Sequence, residues 1–157
     1  MIFTAFSHAN LYDDGLPIEK LSGDRAVRMF VKAGVPIEKI VLGAAFYGRC
    51  WPKAPDINHG LGQVPDAPGV HGCPYHEICR MLETGEGNYS YFWDEVAKAA
   101  YLYNGETFIS YEDKKALSYK AAYVREQGMK GMMFWEYSED QTRTLVEHLY
   151  TELHKEE

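Results

Sequence analysis

The sequence predicts an α/β fold in which parallel strands alternate with helices. Two nearly continuous apolar runs, residues 39–47 (KIVLGAAFY) and 131–137 (GMMFWEY), are typical of strands that are buried on both faces of a parallel sheet. Helical periodicity precedes each run, over residues 24–33 and 112–127, and a further amphipathic helix is predicted over residues 140–154. Strands and helices that alternate at this spacing indicate βαβ-type units.

The first strand of this arrangement is assigned to residues 1–6 (MIFTAF), which are apolar and β-prone and are followed by a polar loop. The first helix has an acidic residue, Asp24, in its opening turn. Gly34 and Pro36 end it, because neither residue continues a helix well. The helix predicted over residues 112–127 ends at Gly128. The apolar run over residues 131–137 follows this helix.

The middle of the chain has a different composition and predicts a small α+β subdomain. Prolines and glycines crowd residues 49–72, which predicts a long irregular segment. A short helix is expected over residues 75–83. Three short strands should follow, over residues 89–93, 99–103 and 107–111. Asn104-Gly105, between the last two strands, is a strong hairpin signal.

Length and charge restrict the fold and the class of partner. A chain of 157 residues is too short for a closed eight-stranded α/β barrel, which needs about 250 residues. The chain has 16 basic and 23 acidic residues, a net charge of −7, and no run of Lys or Arg, so a nucleic acid is not an expected partner. A membrane is not expected either, because no apolar run approaches about 18 residues.

Aromatic residues make up 14% of the chain, an unusually high share. Composition alone leaves two interpretations open, a tyrosine-rich core or a surface that stacks flat ligands such as sugar rings. The position of individual rings in the predicted sheet is therefore more informative than their number.

Candidate binding residues follow from the rule that functional side chains of parallel α/β folds lie just beyond the carboxyl ends of the strands. Tyr47, Arg49 and Trp51 follow the first apolar run, and Trp135 and Glu136 lie at the end of the second. Aromatic rings stack on sugars, and Arg and Glu hydrogen-bond hydroxyl and amide groups. The set suits a saccharide, and the alternative is that the rings cover the core beneath the sheet edge.

Three long segments carry a resemblance to a known family. They are VLGAAFYGRCW (41–51), WDEVAKAAYLYN (93–104) and TFISYEDKKALSYKAAYVREQGMKGMMFWEYSED (107–140). In this order they resemble the C-terminal half of a chitinase-like glycoside hydrolase of family 18, over about residues 8–150. The resemblance implies a partial (β/α)8 barrel formed by residues 1–48 and 112–157, with an inserted α+β subdomain over residues 49–111 between the last two barrel strands.

The same resemblance implies roles for the candidate residues. Trp135 corresponds to the floor of the sugar subsite at the reaction centre, Tyr47 and Arg49 to side chains that line the cleft, and Trp51 and Glu136 to positions near the same groove. The implied ligands are chitin or oligosaccharides of N-acetylglucosamine, with no cofactor and no metal. Relatives of this kind are usually secreted, and no signal peptide is recognised in this sequence.

The family's catalytic signature, D-x-x-D-x-D-x-E, does not occur in the sequence. Its Glu is the general acid, and one acid suffices because the N-acetyl oxygen of the substrate attacks the anomeric carbon. Residues 1–4 (MIFT) also place Phe3 and Thr4 where the family usually reads M-x-Y-D. We therefore expect no catalytic residue in this chain and no hydrolysis by it alone.

Two other classes of protein remain open on this evidence. One is a non-catalytic, chi-lectin-like carbohydrate-binding protein, and the other is an inert truncated gene product. A half-barrel leaves unpaired strand edges, so we expect either self-association or completion by a complementing N-terminal half.

The cysteines and histidines of the middle segment form one further cluster, His71, Cys73, His76 and Cys79. These are zinc-type ligands, but their spacing is not that of a standard zinc site, and we assign no metal to them. A disulfide between Cys73 and Cys79 is the second alternative. Ordinary free thiols are the default, because three cysteines do not make a disulfide framework.

Overall fold

The computed structural model of the chain describes Ala5, residues 7–15 and residues 21–155, apart from the side chain of His71. The strand predicted over residues 1–6, including Phe3 and Thr4, thus lies outside the described residues except for Ala5. Within the described part of the chain, no helix has the length and apolar character needed to cross a membrane.

The described residues form four α-helices and seven strands. In chain order these are α1 (Gly23–Lys32), β1 (Val41–Ala45), β2 (Tyr47–Trp51), β3 (Val70–Pro74), α2 (Tyr75–Thr84), β4 (Ser90–Asp94), β5 (Ala99–Tyr103), β6 (Phe108–Tyr111), α3 (Lys114–Glu126), β7 (Gly131–Trp135) and α4 (Thr144–Leu153). β1 and β7 pair in parallel, and the other five strands form an antiparallel sheet in the order β3-β2-β6-β5-β4. The prediction of an α/β chain with parallel pairing of its two apolar runs is confirmed.

The single strand predicted over residues 39–47 is wrong in its extent, because the run is divided between the two sheets at Phe46. β1 ends immediately before this residue and β2 begins immediately after it. The backbone N–H of Phe46 donates to the carbonyl of Trp135 (2.8 Å), and its carbonyl accepts from the N–H of Tyr75 (3.0 Å). Phe46 therefore links the parallel pair to the antiparallel sheet.

The expectation that both apolar strands are buried on both faces is also wrong for the described chain. Alternate residues of the parallel pair are exposed, including Val41 at 44% and Met133 at 47%. Successive side chains of a strand point to opposite faces, so one face packs on the core and the other is open. This open face adjoins the candidate site.

The antiparallel sheet matches most of the elements predicted for the middle of the chain. The hairpin expected at Asn104-Gly105 joins β5 to β6, but its loop has four residues, and the Asn104 side chain accepts from the N–H groups of Glu106 (3.1 Å) and Thr107 (2.7 Å). The irregular segment predicted over residues 49–72 is shorter than expected. Its two ends pair as β2 and β3, because cross-strand hydrogen bonds form despite the weak local strand propensity.

Side-chain caps fix where the helices begin. Ser22 accepts from the N–H of Arg25 at the start of α1 (3.2 Å), and Asp113 accepts from the N–H of Ala116 at the start of α3 (2.8 Å). The buried carboxylate of Asp140 accepts from two N–H groups in the first turn of α4, those of Leu145 (2.8 Å) and Val146 (3.0 Å).

One hydrophobic core holds the two sheets together. Buried residues of β1, α2, the antiparallel sheet, α3 and α4 meet in it, among them Ala44, Ile78, Leu102, Leu117 and Leu145. The rings of Phe46 and Phe134 stack within it, nearly parallel, with centroids 4.6 Å apart. The ends of β1 and β7 are therefore fixed relative to the antiparallel sheet.

Candidate functional site

A cavity of about 640 Å³ lies where the carboxyl ends of β1 and β7 meet. Ala45 and Trp135 are partners in the register of these strands, so residues that follow one strand lie beside the end of the other. Tyr47, Arg49 and Trp135 all line the cavity. Three of the five side chains predicted from strand ends are thus brought together around one space.

Strand β2 presents Tyr47, Arg49 and Trp51 on the same face, because side chains alternate along a strand. Trp51 nevertheless does not reach the cavity. It is 4% exposed and packs against Phe108, with ring centroids 5.7 Å apart. A Cβ placed on Gly69 would lie only 2.7 Å from its indole nitrogen, so the segment that returns to β3 passes directly over the ring. Burial places Trp51 in the core rather than in the predicted groove.

The guanidinium of Arg49 is half-buried beside the cavity and is incompletely satisfied by the protein. Its Nε is inaccessible to solvent and has no hydrogen-bond partner among the described residues. None of the ion pairs that the described residues form includes Arg49. A buried donor without an acceptor is unfavourable, so Nε of Arg49 adds nothing to the stability of the fold, and the contact that Arg49 offers to the cavity comes from the rest of its half-buried side chain.

His8 forms the wall of the cavity next to Tyr47. Its Nδ1 lies 3.0 Å from Oγ of Ser110, and its backbone N–H donates to the same oxygen (3.0 Å). The His8 ring is tilted against that of Tyr47, with centroids 5.5 Å apart. Sequence reasoning found no partner pattern for His8, because its partner is 102 residues away in the chain.

The indole of Trp135 is 62% exposed at the end of β7. An exposed tryptophan ring offers a flat apolar surface with a negative π face, which favours stacking against the CH groups of a sugar. The peptide bond between Trp135 and Glu136 is cis.

Three acidic residues follow Trp135, and none of them lines the cavity. The exposed carboxylate of Glu136 accepts a hydrogen bond from Oγ of Ser138. Burial raises the pKa of Glu139, and the negative charge of Glu136 adds to that effect. Asp140 is fully buried as the cap of α4. The structure thus places the predicted contact Glu136 outside the cavity.

The cavity carries cationic rather than acidic side chains. In the described part of the chain its charged lining consists of Arg25, Arg49 and Lys120, and no Asp or Glu lines it. Lys120 is paired with the buried carboxylate of Glu112, so Arg25 and Arg49 give the lining its positive charge, in contrast to the net charge of −7 for the whole chain. The described lining therefore offers hydrogen-bond donors and no carboxylic acid.

A buried ion pair lies under one side of the cavity. Nζ of Lys120 is 2.5 Å from Oε1 of Glu112 and donates to the carbonyl of Gly43 (3.2 Å). The other carboxylate oxygen of Glu112 accepts from the N–H of Ala45. Burial raises the pKa of Glu112, while the positive charge of Lys120 opposes the rise. The pair ties α3 to the end of β1, and sequence reasoning missed it.

The described side chains of the histidine and cysteine cluster, those of Cys73, His76 and Cys79, do not converge on one point. Nδ1 of His76 lies 2.9 Å from the carbonyl oxygen of Glu139, and burial raises the pKa of Cys79 while Tyr75 opposes the rise. Among the described side chains, which exclude that of His71, no three metal-ligating groups come together.

The comparisons with known proteins agree with this architecture. The family model of glycosyl hydrolases family 18 matches residues 4–140. Chitinase A1 of Niallia circulans is 35% identical over 129 residues, which are 77% of this chain and 18% of that protein.

Two solved structures extend the comparison to the fold. A family 18 N-acetylglucosaminidase from Paenibacillus barengoltzii is 43% identical, with a TM-score of 0.91 over 96% of this chain and 45% of that one. A mutant class V chitinase from Nicotiana tobaccum in complex with NAG4 is 27% identical, with a TM-score of 0.80 over 96% of this chain and 44% of that one. The chain spans less than half the length of each of these relatives.

Proposed function

The chain belongs to the glycosyl hydrolases of family 18, and from this premise we propose that its cavity forms part of a binding groove for oligosaccharides of N-acetylglucosamine. Tyr47, Arg49 and Trp135 are the proposed contacts. The chain contributes the groove but not the general acid, so it does not hydrolyse chitin alone. Trp51 and Glu136, which the sequence also suggested, are left out because neither lines the cavity.

The observation that carries this proposal is the convergence of an exposed indole, an incompletely paired guanidinium and a tyrosine on one space. A pyranose ring has apolar CH faces and a rim of hydroxyl and acetamide groups, so it needs both a flat ring and directed donors. The volume of about 640 Å³ lies within the range of about 300–1,000 Å³ that is usual for small-ligand sites.

We propose the same family arrangement for the fold. In it β1 and β7 are the last two strands of a (β/α)8 barrel, and the antiparallel sheet over residues 47–111 is the subdomain inserted between them. The parallel pairing of β1 with β7 across this long intervening sheet supports the arrangement. Their open apolar face would then meet either a complementing N-terminal half of the barrel or another copy of the chain.

The binding proposal is tested by calorimetric titration of the chain with two tetramers, one of β-1,4-linked N-acetylglucosamine and one of β-1,4-linked glucose. We expect saturable binding of the first and much weaker binding of the second, which has no acetamide to accept from Arg49. Trp135→Ala should weaken the first by roughly 30-fold, because stacking on the indole is worth about 2 kcal/mol. Tyr150→Ala, an exposed ring on α4, is the matched control and should bind normally.

Equal affinity for the two tetramers would contradict the proposed ligand class. Absence of binding to both would instead support an inert truncated product. A Tyr150→Ala variant that loses affinity as strongly as Trp135→Ala would show that the loss reflects general damage to the fold.

The missing acid gives a prediction about turnover. Incubation of the chain with the N-acetylglucosamine tetramer should release no shorter oligosaccharide above the protein-free blank, as measured by mass spectrometry. The physical reason is that no carboxyl group in the described lining of the cavity stands where a glycosidic oxygen would be protonated. Binding without turnover would agree with a lectin-like chain, and steady release of products would show that this chain supplies an acid.

A further inference from the structure

Two thiols lie side by side on neighbouring strands of the antiparallel sheet. Cys73 of β3 is opposite Gly48 of β2, and Cys50 of β2 is opposite Val70 of β3. Gly48 and Cys50 are two residues apart on one strand, so both cysteines are on the same face as diagonal neighbours. Each thiol also perturbs the pKa of the other, raising that of Cys50 and lowering that of Cys73, as expected for neighbouring side chains.

A β-bulge lies next to this pair. The register of β2 with β3 shifts between Gly48 and Arg49, and Gly72 is the extra residue, with a φ of +102° and an open surface around its Cα. Bulges bend a strand locally and change the direction of its side chains. The bulge beside Cys73 therefore influences the direction in which its thiol points.

The third thiol has a different partner. Cys79 lies on α2, and the groups that perturb its pKa include Tyr75 but neither Cys50 nor Cys73. The alternative that the sequence left open, a bond between Cys73 and Cys79, is therefore not the pairing that the structure favours. All three thiols are only half-buried, so small thiol reagents have access to them.

We propose that Cys50 and Cys73 are a redox pair that closes to a disulfide when a small disulfide such as oxidised glutathione is present. A thiolate at Cys73 attacks one sulfur of the reagent and releases one glutathione thiolate. The sulfur of Cys50 then attacks the sulfur of Cys73 in the mixed disulfide and releases the second glutathione. The two protein thiols lose two electrons and two protons, and the reagent becomes two molecules of reduced glutathione.

The effect of each thiol on the pKa of the other favours one order of these steps. Cys50 lowers the pKa of Cys73, while Cys73 and burial raise the pKa of Cys50. The thiolate is the nucleophile in disulfide exchange, so Cys73 reacts first and Cys50 resolves the intermediate.

The bond would close a loop that contains the irregular segment between β2 and β3, which covers Trp51. A cross-link over a loop of this length restricts the unfolded chain, and the expected rise in Tm is roughly 5–10 °C. Reduction should reverse the rise completely.

The proposal is tested on the full chain, equilibrated with oxidised glutathione, blocked with an alkylating reagent and digested without reduction. Mass spectrometry should find a cross-linked peptide pair that contains Cys50 and Cys73, both in the unaltered chain and in Cys79→Ser. Cys50→Ser should give no intramolecular cross-link. The rise in Tm should occur in the first two proteins and not in Cys50→Ser.

A cross-link that contains Cys79, or three thiols that all remain open to alkylation, would overturn the proposal. The peptide map of the unaltered chain decides this alone, so the result does not depend on how well any variant folds.

Discussion

Replacement of Lys120 by methionine is expected to lower the free energy of unfolding by about 3–5 kcal/mol at neutral pH. The ammonium group is the cationic partner that the structure gives to the carboxylate of Glu112, which is only 1% exposed. Methionine keeps the length of the side chain and removes its charge. The loss of stability is therefore due to the buried carboxylate that remains without a cation, and not to empty space left by a shorter side chain.

The destabilisation should depend on pH in a defined direction. Burial already raises the pKa of Glu112, and removal of Lys120 takes away the main opposing effect. A carboxyl group whose pKa is higher in the folded than in the unfolded state binds its proton more tightly when folded. Stability therefore falls as pH rises from the unfolded pKa of about 4.3 through the raised folded value. Lys120→Met should be close to the unaltered chain near pH 4 and much less stable near pH 7.

Urea unfolding at these two pH values measures the effect. Lys114→Met, on the exposed face of the same helix, is the matched control and should change stability little at either pH. The double variant Glu112→Gln with Lys120→Met should recover most of the loss, because no charge remains buried and the amide oxygen still accepts from Ala45. A loss in Lys120→Met that is equal at both pH values would contradict the electrostatic explanation.

The second large effect is expected at Arg49. Arg49→Met should weaken binding of the N-acetylglucosamine tetramer roughly 10- to 100-fold, because a hydrogen bond from a charged donor is worth about 1.5–3 kcal/mol. The same change should leave the free energy of unfolding unchanged or slightly higher, because Nε of Arg49 has no acceptor among the described residues. A loss of affinity without a loss of stability would thus identify Arg49 as a residue that binds the ligand and does not support the fold.

Calorimetry and urea unfolding of the same Arg49→Met preparation separate the two roles. Arg80→Met is the control, because Arg80 is exposed on α2 and pairs with Glu77 and Glu86 away from the cavity lining. Unchanged affinity together with a marked loss of stability would show that Arg49 is structural.

Local sequence patterns were sufficient to predict those elements of the fold that depend on residues close together in the chain. The apolar runs at β1 and β7 need a sheet that buries them, and Asn104-Gly105 suits a chain reversal, so these features were predicted correctly. The break at Phe46 was not predictable, because no Gly, Pro or polar residue interrupts the apolar run there. It depends on hydrogen bonds to Trp135 and Tyr75 from distant parts of the chain.

For the candidate site, too, the predictions that depend on neighbouring positions agree with the structure, and those that depend on distant parts of the chain do not. The strand-end rule selected Tyr47, Arg49 and Trp135, and these three residues line one cavity, because Trp135 pairs with the last residue of β1 and β2 begins two residues after it. It also selected Trp51, whose burial depends on a covering segment that no local pattern reveals. His8 was missed because its partner on β6 belongs to a remote part of the chain.

The buried pair of Glu112 and Lys120 was missed for a related reason. The two residues are eight positions apart, and neither a glutamate at the start of an amphipathic helix nor a lysine within it is unusual. Only the packing of α3 against β1 brings both side chains out of water and next to the carbonyl of Gly43.

The central claim is that a saccharide stacks on Trp135 beside Arg49. It is tested most directly by the indole N–H signals of the three tryptophans in a nuclear magnetic resonance titration with the N-acetylglucosamine tetramer. The signal that disappears in Trp135→Ala should move progressively to saturation. Those of Trp51, in the core, and of Trp93, whose indole donates to Glu95 (2.7 Å), should stay in place. A fixed Trp135 signal at high tetramer concentration, or movement of the Trp93 signal instead, would contradict the claim.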